Sequence, residues 1–174
     1  RVADALLLPA LSELGDAWAG GRLGVAEEHA ASHAMLRRLA SAFQAAGRAT
    51  PPTGATVVGL PPGCRHELAA LAFAVAARRA GLSILYLGPD LPVADWATVV
   101  RSVQARAAVI GAPTSGDVAA AVRVAAAVRA ADPSIVVAFG GRGAALAARR
   151  DGAAAVVLPD TIGSAVDTLA GAIV

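Results

Sequence analysis

"GLPPGCRHELAAL", residues 59–71, leads from an apolar run into an Ala/Leu helical pattern through a loop built on Pro61, Pro62 and Gly63. The run that feeds it, "TVVGL" (56–60), is the first of five. "SILYLG" (83–88), "AAVIG" (107–111), "SIVVAFG" (134–140) and "AAAVV" (153–157) follow, each separated from the next by an Ala-rich segment of helical character. Short continuous apolar strands alternating with helices predict a parallel sheet covered on both faces. The expected fold is therefore α/β, a Rossmann- or flavodoxin-like five-stranded parallel sheet over residues 55–174. Sheets of this kind bind ligands at the carboxyl ends of their strands, beside the point where the strand order reverses. His66, at the tip of the first strand, is predicted to stand there.

Outward from this unit the pattern changes class. "RATPPTGA" (48–55) is a linker, because two prolines stop a helix and no periodicity survives. Before it, Leu6, Leu7, Ala10, Leu11, Leu14 and Trp18 recur at helical spacing over 2–17, ended by Gly20 and Gly21. A second helix is predicted over 25–46, with Met35, Leu36, Leu39 and Phe43 on one face and Gly47 as its stop. Residues 1–48 thus read as part of a helical bundle capping the α/β unit. A chain that begins at Arg1 and enters a helical pattern at once is expected to continue upstream.

Composition excludes several classes. The 56% hydrophobic content comes largely from alanine, and no run of about 18 uninterrupted apolar residues crosses the chain, so no membrane role is expected. All 15 basic residues are arginine and the net charge is only +2, too little for this segment to bind nucleic acid by itself. One cysteine excludes an internal disulfide and a multi-cysteine zinc site. A reducing cytoplasm is the expected location.

The loops narrow the chemistry further. The first strand is followed by neither G-x-G-x-x-G nor a P-loop, which removes the main support for a dinucleotide or nucleoside triphosphate. The distinctive group there is the His66 imidazole, a common transition-metal ligand, although a histidine at a helix start also caps or packs. "FGGRGA" (139–144) places two adjacent glycines where a ligand can approach the backbone, as it also would in an ordinary βα turn. His29 and His33 share a helical face, but "EEHAASH" is not H-E-x-x-H and offers no third ligand. Trp18 reads as core and Glu28 and His29 as a solvated edge when taken alone.

Taken together these residues resemble a known family. Residues 59–90, "GLPPGCRHELAALAFAVAARRAGLSILYLGPD", are similar to cobalamin-binding Rossmann domains, above all those of the light-sensing, adenosylcobalamin-dependent MerR-type repressors. That family carries D/E-x-H-x-x-G in the first loop, a G-G pair in a later one and W-x9-E-H in the helical bundle. Trp18, nine residues, then Glu28 and His29 match the last motif. The resemblance implies that His66 is the lower cobalt ligand and that Gly140 and Gly141 border the displaced nucleotide tail. Trp18 would pack on the adenosyl group while Glu28 accepts from its ribose. Arg65 and Arg142, flanking these motifs, join the implied contact set. The chain departs from the pattern at four places. Cys64 stands at the acidic position, Ala69 replaces the motif glycine, and Gly111 occupies a place where the family often has serine, leaving Thr114 or Ser115 to offer a hydroxyl. Ala19 follows the tryptophan where some members have histidine.

The function implied is a non-enzymatic photosensor that binds adenosylcobalamin through its cobalt, loses the adenosyl group in light and moves its helical cap. A homo-oligomer is expected, with DNA bound only through an upstream domain. A corrinoid methyl carrier or mutase cobalamin subunit shares the Rossmann unit and lower histidine but gives no reason for W-x9-E-H. A related module paired with another chromophore or output domain is the remaining alternative.

Overall fold

The computed structural model describes residues 24–47 and 54–173. Its five strands are β1 (Thr56–Gly59), β2 (Ile84–Gly88), β3 (Ala107–Gly111), β4 (Val136–Gly140) and β5 (Val156–Val157). They form one sheet in the order β2-β1-β3-β4-β5, and every pairing is parallel. The order reverses between β1 and β3, so the loops leaving these two strands diverge to opposite faces and open a crevice at their carboxyl ends.

Alternation along each strand sorts the core into two layers. Val58, Val109 and Ala138 face α1 (Val25–Ala45), α2 (Leu68–Arg79) and α6 (Ile162–Ala172). Val57, Ala108, Ile110, Val137 and Phe139 face α3 (Val93–Ser102), α4 (Val118–Ala131) and α5 (Ala144–Asp151). With both faces covered, all of β1 is buried, which is why its sequence is continuously apolar rather than alternating. Alanines on α2 and α4, including Ala74, Ala77, Ala121 and Ala125, are fully buried and let the helices sit close to the sheet.

Element boundaries differ from the sequence reading where local chemistry competes with the strand. β4 begins at Val136 because Asp132 Oδ1 accepts from both the backbone and the hydroxyl of Ser134, which folds 132–134 into a turn. β5 keeps only Val156 and Val157, paired to Ala138 and Phe139. Its alanines carry little strand preference and lie at a sheet edge with no second neighbour to hold them. The predicted helix over 2–17, with Trp18, Ala19 and most of the linker, lies outside the described residues.

The second predicted helix is α1, and it is joined to the α/β unit at its carboxyl end. Leu39 and Phe43 are buried against α2. Arg78 of α2 donates to the carbonyls of Phe43 (3.2 Å) and Gly47 (3.1 Å) with Nη1, and to Ile84 O with Nε and Nη2 (3.2 and 2.9 Å). Its guanidinium carbon also lies 3.5 Å from the Phe43 ring centroid. α1 has no basic residue in its last turn, so Arg78 supplies from a neighbouring element the cation that helix carbonyls favour. With 21 residues, α1 is about 32 Å long against about 18 Å for the 12 residues of α2. Both helices end beside the start of β2, so the first turns of α1 extend past the start of α2, toward the carboxyl end of the sheet.

Candidate functional site

The first four strands all end in glycine: Gly59, Gly88, Gly111 and Gly140. At Gly59 the reason is packing, since a Cβ would meet Gly88 O at 3.1 Å and the Trp96 ring at 3.2 Å. At Gly140 a Cβ would meet only Leu158, at 3.6 Å, so this strand end is open to an incoming group. Three loops rise from this edge, one each from β1, β3 and β4. Because these strands are neighbours, Cys64, Arg65 and His66, then Gly111, Thr114 and Ser115, then Gly140, Gly141 and Arg142 come together along one side of the molecule.

The β1 loop has a firm backbone and a free histidine. Cys64 N–H donates to Pro61 O at 3.1 Å and Glu67 N–H to Arg65 O at 2.9 Å. Glu67 in turn accepts from Tyr86 Oη at 2.8 Å, a bond made across to β2. His66 is exposed, and its ring makes no hydrogen bond to any described residue. An imidazole held this way keeps a nitrogen available for an external metal.

Cys64 is 1% exposed. Its thiol is pushed up to about 11, chiefly by burial and also by the Asp117 carboxylate hydrogen-bonded to it, with His66 N–H acting against the shift. The residue at the motif's acidic position is therefore a neutral thiol that joins the β1 loop to the β3 loop. Asp117 Oδ2 also accepts from Thr114 N–H (2.9 Å) and Thr114 Oγ1 (2.7 Å), which closes the short 3₁₀ turn Ser115–Asp117. The Thr114 hydroxyl proton is thereby committed, whereas Ser115 is exposed and its hydroxyl has no partner among the described residues. Of the two candidates, Ser115 is the one free to donate. At Gly111 a Cβ would press on Leu60 Cγ at 3.2 Å, so a side chain there would meet the β1 loop first.

The β4 loop packs onto the β3 loop. Gly141 has φ +94°, and a Cβ on it would lie 2.8 Å from Ala112 O. Ala112 O accepts from Gly143 N–H, also at 2.8 Å. Gly141 thus has a structural requirement of its own, while Gly140 has the openness that a ligand tail needs. Arg142 is exposed beside them.

On α1, Glu28 is half-buried and takes Ser32 Oγ on Oε1 at 2.6 Å, leaving Oε2 without a partner among the described residues. His29 and His33 are exposed, their ring centroids 6.2 Å apart. The described residues contain no cluster of three or more metal-ligating side chains. Trp18, which with Glu28 and His29 makes up the expected cap set, lies outside the described residues.

Sequence reading missed Asp90, Asp117 and the Tyr86–Glu67 pair. "TSGD" (114–117) does carry a signal, the T-x-x-D spacing of a capping box before an apolar run. Nothing in "LGPD" (87–90) marks Asp90 as facing the β1 loop.

This sheet order defines a flavodoxin-like, doubly wound α/β fold, with an exposed histidine at its switch point. Residues 1–42 match the family described as the B12 binding domain. The chain is also 32% identical over 101 residues to the HTH-type transcriptional repressor CarH of Myxococcus xanthus, a stretch that is 58% of this chain and 33% of that protein. The family match thus falls on the first 42 residues, and the chain spans about a third of the length of the repressor it resembles. Two solved structures share the fold. One is a cobalamin-binding protein from Desulfitobacterium hafniense DCB-2, with a TM-score of 0.61 and 16% identity over 92% of this chain and 76% of the other. The second is the monomethylamine corrinoid protein of Methanosarcina barkeri, with a TM-score of 0.67 and 15% identity over 91% of this chain and 76% of that one. At such identities the likeness is one of fold.

Proposed function

We propose that the chain is an adenosylcobalamin-binding photosensory domain, a sensor rather than a catalyst, with His66 as the lower cobalt ligand. The observation that carries this reading is the exposed His66 ring just beyond the tip of β1, on an anchored loop at the switch point, in a chain whose residues 1–42 match the B12 binding domain. The residues fit the group: a neutral imidazole suits cobalt, and Gly140 leaves the strand end open for a tail. When bound, adenosylcobalamin would supply a cobalt–carbon bond that light breaks.

The chain's own residues do the rest. The β1 loop holds His66 under the metal, and Ser115 offers a hydroxyl proton at the neighbouring strand end. Glu28 Oε2 would be free to accept from a pair of hydroxyls, and by the resemblance Trp18, outside the described residues, would shield the adenosyl group from water. Were the adenosyl group lost, the first turns of α1 would lose its support and could shift, while Arg78 keeps the far end of the helix joined to the α/β unit. This change in cap position passes to an output module such as a DNA-binding domain, or to a partner copy in a homo-oligomer.

Absorption spectra with adenosylcobalamin, in the dark and after green light, on wild type and His66→Ala, test the proposal. The expected result is a spectrum of bound cofactor that depends on His66 and changes in light. A bound spectrum indifferent to light, with methylcobalamin held more tightly, would replace this reading with that of a corrinoid carrier or mutase subunit. No binding of any cobalamin would overturn both.

A further inference from the structure

His66 is flanked on both sides by residues tied to β2, and the bonds on its amino-terminal side converge on one residue that no motif marks. Asp90 Oδ1 accepts from Gly63 N–H at 2.7 Å, and Oδ2 takes Arg65 Nη2 at 3.3 Å. Asp90 N–H donates to Cys64 O at 3.0 Å. The three residues immediately before His66 are therefore all bonded to Asp90. On the other side, Tyr86 of the same strand holds Glu67.

The backbone shows how Asp90 reaches that position. The β1–β2 register shifts between Val58 and Gly59, pairing Val58 with Tyr86 and Gly59 with Gly88, so one extra residue of β2 bulges out and the end of the strand turns. Leu60 N–H bonds to Gly88 O and Leu91 N–H to Leu60 O, which carries the two chains together beyond the sheet. Asp90 itself has φ +56°, a left-handed conformation that most side chains avoid and that aspartate, like asparagine, tolerates better than most. Such a conformation is retained when the surroundings over-determine it, and here three bonds to one loop do so. The Arg65 contact joins two exposed side chains, so the Gly63 and Cys64 bonds are the ones that define the geometry.

We infer that Asp90 is a positioning residue for His66: its carboxylate and N–H hold residues 63–65 so that the otherwise unbonded imidazole stands at the carboxyl edge of the sheet. This rests on the reading of His66 as the cobalt ligand. It also explains how a loop with a thiol at the acidic motif position keeps its histidine placed, since the carboxylate that orders the loop comes from the segment following the neighbouring strand β2.

Two variants separate the carboxylate from the backbone conformation. Asp90→Gly keeps the left-handed turn and the N–H but removes the acceptor, whereas Asp90→Asn keeps an acceptor oxygen on a residue that tolerates positive φ. Each is loaded with cob(II)alamin, and the cobalt electron paramagnetic resonance spectrum is recorded with natural-abundance and 15N-labelled histidine. The nitrogen splitting reports directly whether a protein imidazole is bound, which a general loss of stability would not mimic at saturating cofactor. Adenosylcobalamin affinity is measured alongside. Wild type and Asp90→Asn are expected to show label-sensitive splitting. Asp90→Gly is expected to lose it in most molecules and to bind adenosylcobalamin about 10–100-fold more weakly, the usual effect of removing a group that orients a metal ligand. Should Asp90→Gly not fold, Asp90→Ser, whose hydroxyl is too short to span both donors, carries the same comparison. Equal splitting and affinity in Asp90→Gly (or Asp90→Ser) and Asp90→Asn would overturn the role of Asp90. Wild-type splitting that ignores the label would instead refute the assignment of His66.

Discussion

Replacing Arg78 by alanine should release α1 from the α/β unit without unfolding the sheet. Arg78 serves three carbonyls, two of them, Phe43 O and Ile84 O, in partly buried bonds. A charge-assisted hydrogen bond contributes about 1.5 kcal/mol at the lower end, and a cation–π contact such as that over Phe43 about 1 kcal/mol. The bond to Phe43 O and the ring contact, which join Arg78 to α1, come to about 2.5 kcal/mol. Ile84 O lies within the α/β unit and holds the arginine whether or not α1 is docked, so the side-chain entropy opposing them is only about 0.5 kcal/mol. The difference, about 2 kcal/mol, corresponds to roughly a 30-fold change in the docking equilibrium of α1. Hydrogen exchange resolved by mass spectrometry reads this directly, because a sub-global opening raises exchange only in the segment that detaches. In Arg78→Ala, amides of residues 25–45 should exchange about 30-fold faster, while those of β1 and β3 change little. Arg78→Lys should recover only part of the protection, because one ammonium cannot address three carbonyls in a fork. Unchanged protection of α1, or an equal loss in helix and sheet, would refute this account of the joint.

Three further outcomes follow from the packing and the charges. Gly141→Ala places a Cβ 2.8 Å from Ala112 O at a positive φ, and thermal or urea unfolding should show a loss of about 2 kcal/mol or more. Trp96 is fully buried with an unpaired indole N–H, so Trp96→Phe should cost under about 1.5 kcal/mol in urea unfolding while Trp96→Ala costs about 3–5 kcal/mol. Asp132 is held below the usual carboxylate range by the Ser134 hydroxyl and N–H. A depressed folded value means that the stabilisation is complete above the unfolded value of about 4 and disappears as pH falls through the folded one. Melting curves of wild type and Asp132→Asn should therefore differ at neutral pH and converge toward pH ~2.

Much of the site was legible because it depends on strand ends. Continuous apolar runs located the strands, and parallel topology then places every β-to-α loop at one edge of the sheet. His66, Gly140 and Gly141 were read as candidates from their place at strand ends, and Thr114 and Ser115 from the resemblance, and the structure places all five along that edge. Cys64 read as a gap in the motif, because its neighbour is Asp117, more than fifty residues away in the chain. Asp90 was overlooked for the same reason, since a single strand's sequence does not show which loop its last residues will face.

What the sequence by itself determined is the architecture: hydrophobic periodicity dictates a doubly covered parallel sheet, and the residues at its strand ends carry the likeness to cobalamin-binding domains. Only the tertiary structure decided which groups hold those residues in place. Asp90 braces the loop of His66, burial with Asp117 beside it raises the pKa of the Cys64 thiol, and Arg78 fastens the end of α1. These contacts join residues distant in the chain, and their existence depends on a sheet order and a one-residue shift in β2 that local sequence preference does not encode.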